Sequence, residues 1–99
     1  MNKAYTDALK KSIDLHGTLI KQVVAMEEMA ELIQQISKNI RGEMDREHLL
    51  EEYADVQICM EMLKMIYGFT DNEIERMECR KMERQILRDE KERSNRTVD

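Results

Sequence analysis

Four carboxylates in the middle of the chain have the spacing of a metal-binding site. Glu28 and Glu31 lie three residues apart in one apolar stretch, and Glu52 and Asp55 lie three residues apart in the next. Side chains three residues apart are neighbours on the surface of a helix. An ionised carboxylate among apolar neighbours is costly unless a cation neutralises it. The pattern therefore predicts a divalent cation held between two helices.

The neighbours of these acids decide whether they face inward. In a chain with 21 acidic residues, one pair of acids three apart is often a solvated helix face. Here Val56 lies one turn after Glu52, and Val24 and Leu32 flank Glu28 by one turn on either side. Both pairs are therefore expected on the apolar, inward faces of their helices.

Glycines and capping residues divide the chain into four predicted helices. Asp45 is a predicted N-cap, and Thr70 with Glu73 forms a capping box. Gly17, Gly42 and Gly68 mark the three breaks. The expected helices span Lys3–His16, residues 18–41, Arg46–Tyr67 and residues 71–93. Residues 1–93 are expected to form one domain, and the polar residues 94–99 a flexible tail.

The short connection at residues 42–45 sets the predicted arrangement of the second and third helices. Helices joined by so few residues pack as antiparallel neighbours. Both acid pairs lie about two to three turns from this connection, so they should meet at a similar height. The predicted fold class is all-α: an antiparallel helical hairpin with flanking helices, completed into a four-helix-type bundle by oligomerisation.

Composition excludes several classes of function. The net charge of −5 gives no general attraction to nucleic acid or to anionic lipid. No apolar run approaches membrane-spanning length. Cys59 and Cys79 are the two cysteines, and they are expected to be reduced thiols in a cytoplasmic protein.

The types of the candidate ligands indicate the kind of ion. Oxygen ligands alone select hard cations, so Mg²⁺, or Mn²⁺, is expected and zinc is not. A di-iron bundle would need Glu-x-x-His pairs, which are missing, and His16 and His48 are assigned no role. Because Mg²⁺ favours phosphate oxygens as further ligands, the site indicates phosphate-ester or phosphoanhydride chemistry.

The order of the acids resembles one known family. The segment VVAMEEMAELIQQISK contains Glu27-Glu28-x-x-Glu31, and LLEEYADVQICMEMLKMIYG contains Glu52-x-x-Asp55 after a spacer of twenty residues. This pattern resembles that of the MazG-type all-α nucleoside triphosphate pyrophosphohydrolases, over about residues 17–88. The resemblance implies a homodimer or tetramer that hydrolyses an NTP or dNTP to the monophosphate and pyrophosphate with Mg²⁺.

The resemblance also implies roles for individual residues. Glu27 corresponds to the leading acid of the first motif, and we expect it to orient or deprotonate the attacking water. Basic side chains that reach the triphosphate are expected in the same way. The implied metal ligands are Glu28, Glu31, Glu52 and Asp55, and the implied substrate-binding residues are Lys38, Lys81 and Arg84.

Three alternatives remain open at the level of the sequence. A pyrophosphohydrolase acting on phosphoribosyl-ATP would share the fold and the acidic motifs by resemblance. A non-catalytic helical interaction module would keep the hairpin without turnover. A helical oligomer whose acids face a solvated channel would bind no metal. The absence of tryptophan leaves the preference for a base unpredicted.

Overall fold

The regular secondary structure is entirely helical over residues 1–97, which the computed structural model describes. This confirms the all-α prediction. The second helix ends one residue before its predicted end, and the fourth continues past it. The four helices are α1 (Lys3–His16), α2 (Thr18–Ile40), α3 (Arg46–Tyr67) and α4 (Asp71–Thr97).

Side-chain caps fix where α3 and α4 begin. Asp45 Oδ1 accepts a hydrogen bond from the backbone N–H of His48 at 3.1 Å. Thr70 Oγ1 accepts from the N–H of Glu73, and the Glu73 carboxylate accepts from the N–H of Thr70. Gly68 ends α3 with a φ of 71°, a left-handed conformation that glycine adopts without steric cost. Both predicted N-caps are therefore present.

The end of α4 differs from the sequence prediction. Residues 94–97 continue the helix, whereas the polar composition of residues 94–99 suggested a flexible tail. Arg96 pairs with Glu92 at 2.9 Å, and Gln85 donates to Asp89 at 2.9 Å. Such pairs four residues apart stabilise an exposed helix without any buried face. Residues 98 and 99 lie outside the described residues.

The chain divides into two compact units, Met1–Gly68 and the part from Phe69 onward. Within the first unit, α2 and α3 make the largest helix–helix contact, and α1 packs against both. Ala25, Cys59 and Met62 form the buried core, with Leu9 and Ile13 of α1 packed against it.

Two contacts give the relative direction of α2 and α3. Glu31, in the second half of α2, lies close to Glu52, in the first half of α3. Tyr67, the last residue of α3, donates a hydrogen bond to Gln22, near the start of α2, at 2.9 Å. Late residues of one helix thus meet early residues of the other, and the two helices run in opposite directions.

Much apolar surface of α2 is left open to solvent. A row of apolar residues spaced by four, three, seven and seven positions, here called the α2 stripe, is 39–79% exposed. Its members are Leu19, Val23, Met26, Ile33 and Ile40. On α4, Met77, Met82, Ile86 and Leu87 are also exposed. Among the described residues, no helix is both long and apolar enough to cross a lipid bilayer.

Candidate metal centre

Three carboxylates converge where α2 packs against α3. One oxygen from each of Glu28, Glu31 and Glu52 lies within 4.8 Å of the other two. We call these three residues the acidic triad. Glu28 and Glu31 are neighbours on one face of α2, and the opposed direction of α3 brings Glu52 to the same height. The structure thus brings together three of the four predicted metal ligands.

The triad is sheltered from water to different degrees. Glu52 is 8% exposed, Glu28 is half-buried, and Glu31 is exposed at the rim. Oε2 of Glu28 and Oε2 of Glu52 are both buried and have no hydrogen-bond partner. An orphaned buried carboxylate oxygen is destabilising, so two of them in one cluster point to a missing positive partner.

Burial and neighbouring negative charges raise the pKa of two of the three triad carboxyl groups. Burial raises the pKa of Glu28 above its ordinary value, and the charges of Glu31, Asp55 and Glu52 raise it further. Burial also raises the pKa of Glu52, as do the hydrogen bond and charge of Glu31, whereas His48 lowers it. Without a cation, the triad therefore holds protons more tightly than isolated carboxyl groups do.

The size of the triad suits a small dication. Because no two of these oxygens are more than 4.8 Å apart, a point between them lies no more than about 2.8 Å from each. Ca²⁺–oxygen distances are about 2.3–2.6 Å and Mg²⁺–oxygen distances about 2.0–2.1 Å. The oxygen-only donor set and the two orphaned oxygens both fit a hard divalent ion.

Asp55 and Glu27 have different places relative to the triad. Asp55 is exposed and outside the group of converging oxygens, yet its charge and a carboxyl–carboxyl hydrogen bond raise the pKa of Glu28. It therefore lies at the edge of the cluster. Glu27 is exposed on α2, next in sequence to Glu28.

The predicted substrate-binding cations lie on exposed helix surfaces. Lys38 is in the last turn of α2 and points to solvent. Lys81 and Arg84 are exposed on α4, three residues apart and therefore on one side of that helix. Their role toward a phosphate group stays a prediction.

One residue that the sequence analysis set aside contacts the triad. Nε2 of His48 lies 3.4 Å from Oε1 of Glu52, one helical turn further along α3. The four-residue spacing between His48 and Glu52 was a visible signal of this contact. It was overlooked because the histidine occurs at the predicted start of a helix.

A buried thiol lies next to the acids. Cys59 is 3% exposed and belongs to the buried core of the first unit. Burial raises the pKa of the Cys59 thiol, the charges of Glu28 and Asp55 raise it further, and Lys21 opposes them. A thiol held in its neutral form is a poor nucleophile and a poor metal ligand, so Cys59 serves as apolar packing beside the cluster.

Comparison with known proteins gives no relative: no family model, no curated protein and no solved structure matches this chain. Evidence on function therefore comes from the acidic triad, its surroundings and the order of the acids in the sequence.

Proposed function

We propose that the protein is a Mg²⁺-dependent nucleoside triphosphate pyrophosphohydrolase that removes unwanted NTPs or dNTPs. The observation that carries the proposal is the pair of buried, unpartnered oxygens on Glu28 and Glu52 inside a cluster of converging carboxylates. Such a cluster needs a cation, and a hard dication held only by carboxylates favours phosphate oxygens as its remaining ligands. The resemblance of the five acids to the MazG-type pattern favours nucleoside triphosphates as the substrate.

Glu28, Glu31 and Glu52 would hold the ion, with Asp55 completing the set from the edge of the cluster. When bound, Mg²⁺ supplies charge neutralisation at the phosphates and lowers the pKa of an attacking water; Mn²⁺ would serve similarly. The four acids therefore act by fixing where the phosphoanhydride lies.

The exposed Glu27 is proposed to act on water. It would orient a water molecule toward the α-phosphorus and accept its proton as the new oxygen–phosphorus bond forms. The bond from the α-phosphorus to the bridging oxygen breaks, so the products are the nucleoside monophosphate and pyrophosphate. Lys38, Lys81 and Arg84 are proposed to offset the charge that the leaving pyrophosphate gains.

A second copy of the chain is the proposed partner, giving a dimer or a tetramer built on a four-helix-type bundle. Only three apolar side chains in the described residues are buried, too few to stabilise a domain of this size alone. The α2 stripe follows the seven-residue repeat, divided into steps of four and three at its start, with which helices pack side by side. Burying it against another copy supplies the missing core.

The test is a pyrophosphate-release assay across all NTPs and dNTPs, with Mg²⁺, Mn²⁺ or a chelator. We expect release that requires the metal and is lost in Glu52→Gln. The matched control is Glu51→Gln, because Glu51 is the exposed neighbour on the same helix and its change removes the same charge.

Three other outcomes would each exclude hydrolysis of NTPs or dNTPs and indicate a different function. Turnover of phosphoribosyl-ATP alone would identify the alternative pyrophosphohydrolase. Calorimetric binding of a nucleotide with Mg²⁺ but without turnover would indicate an interaction module. A lack of any metal binding would mean that the acids face a solvated channel.

A further inference from the structure

The two oxygens of the Glu52 carboxylate have unequal surroundings. Oε1 lies 3.4 Å from Nε2 of His48, whereas Oε2 is buried and has no hydrogen-bond partner. The Glu52 side chain is 10% exposed and the His48 side chain 47%. An imidazole nitrogen thus lies beside one oxygen, and the other oxygen is buried without a partner.

The backbone at His48 is held in place. Asp45 caps α3 through a hydrogen bond from the His48 N–H to its Oδ1 at 3.1 Å, and Leu49 N–H donates to the Asp45 carbonyl at 3.0 Å. The first turn of α3 is therefore well defined, and His48 projects one turn from Glu52 on the same face. The position of the imidazole follows from the helix cap.

We propose that His48 is a positioning residue that donates its Nε2–H to Oε1 of Glu52 and so leaves Oε2 aimed for a dication. This inference rests on the proposed function, which makes Glu52 a metal ligand. The terminal torsion of a glutamate side chain is soft, and repulsion from Glu31 and Asp55 pushes an ionised Glu52 carboxylate away from the other acids. A hydrogen-bond donor on Oε1 restrains the terminal torsion of Glu52 and opposes the movement that this repulsion favours.

The geometry allows this hydrogen bond to form fully. A settled N–H···O bond is about 2.7–3.2 Å long, so 3.4 Å is slightly open. The half-exposed imidazole has room to rotate and close it. The neutral Nε2–H tautomer and the imidazolium both present the required proton. Partners that orient a metal ligand through its second atom typically contribute about 10–100-fold to metal affinity or activity.

The test measures Mn²⁺ affinity without nucleotide, by electron paramagnetic resonance of the free ion, in the full-length protein. His48→Gln keeps an N–H donor at the reach of Nε2, whereas His48→Asn presents its donor too close to the backbone. His48→Ala removes the donor. His16→Ala is the matched control, because the His16 imidazole contacts the Ser12 carbonyl of its own helix. Circular dichroism establishes equal helicity in all variants.

We expect His48→Ala and His48→Asn to weaken Mn²⁺ binding by about 10-fold, His48→Gln to recover most of the loss, and His16→Ala to match the wild type. A purely structural role predicts no selective rescue by glutamine. Two results would overturn the role of His48 but not the proposed function, provided that Glu52→Gln still abolishes Mn²⁺ binding. They are an unchanged Mn²⁺ affinity in His48→Ala and a failure of His48→Gln to recover the lost affinity. Binding that does not depend on Glu52 would overturn this role and the proposed function together.

Discussion

At the scale of single residues, the proposed chemistry depends on carboxylates that lie in a buried position, where a negative charge is destabilising. Glu52 is almost fully buried and Glu28 half-buried, each with an oxygen that lacks a partner. Burial and mutual repulsion raise the pKa of both groups. A protein keeps such an arrangement when a ligand offsets its cost in use.

Replacing Glu52 with glutamine should separate function from stability. The amide cannot supply the charge that a dication needs, so we expect pyrophosphate release to fall by about 100-fold or more, the scale of losing one charge-stabilising group. The metal-free variant should melt at a higher temperature than the wild type, because one buried negative charge is gone. Full activity in Glu52→Gln would remove Glu52 from the catalytic site, and Glu51→Gln should change neither property.

The stability of the metal-free protein should depend on pH in a defined direction. Because folding raises the pKa of Glu28 and Glu52, the folded chain binds their protons more tightly than the unfolded chain. Their contribution is fully present below the ordinary carboxyl pKa of about 4.3 and is lost as pH rises through the raised values.

Thermal unfolding with a chelator, from about pH 5 to about pH 7.5, measures this loss. The melting temperature of the wild type should fall more over this range than that of the double variant Glu28→Gln/Glu52→Gln. Equal slopes would show that the two carboxyl groups are not coupled to folding. Saturating Mg²⁺ should flatten the wild-type slope, since metal binding requires ionised ligands.

At the scale of helices, the two ends of α3 fix which residues belong to the helix and so which side chains share a face. The Asp45 cap begins the helix about two turns before Glu52, and Gly68 ends it after Tyr67. Local signals were enough to predict these ends, because capping is a short-range interaction. The end of α4 was not predicted, because its last turns are stabilised by pairs such as Glu92–Arg96 and have no apolar periodicity.

Loss of the α3 cap should weaken Mn²⁺ binding at the candidate metal centre. Asp45→Ala should cost about 1 kcal/mol, or about 4–8 °C in melting temperature for a domain of this size. It should also weaken Mn²⁺ binding, because the first turn carries His48. Thr70→Ala removes a comparable cap from α4 and should leave Mn²⁺ affinity unchanged. Equal Mn²⁺ affinity in the two variants would contradict the link between cap and site.

At the scale of the whole molecule, the first unit has a small core and a large exposed apolar stripe. Ala25, Cys59 and Met62 are buried, while the α2 stripe faces solvent. Folded single domains seldom leave so continuous an apolar row uncovered. The proposed second copy covers it and lets the acids remain inside a stable bundle.

A charge placed in the α2 stripe should dissociate the oligomer. Ile33, 65% exposed in one chain, would be buried between two copies, so Ile33→Glu should yield a monomer by light scattering and abolish the concentration dependence of the melting temperature. Gln34→Glu adds the same charge one position off the stripe and should remain oligomeric. A wild-type protein that is monomeric at high concentration would exclude the second copy as partner.

The sequence by itself determined the four helices and placed Glu28 and Glu52 on the inward faces of α2 and α3. These properties follow from helical periodicity and from caps, which act within a few residues. Only the tertiary structure decided that Glu28, Glu31 and Glu52 converge while Asp55 lies at the edge, and that His48 reaches Glu52. The axial rotation and spacing of two packed helices set those distances, and both depend on side chains from each helix at once. A pattern within one helix does not contain that information.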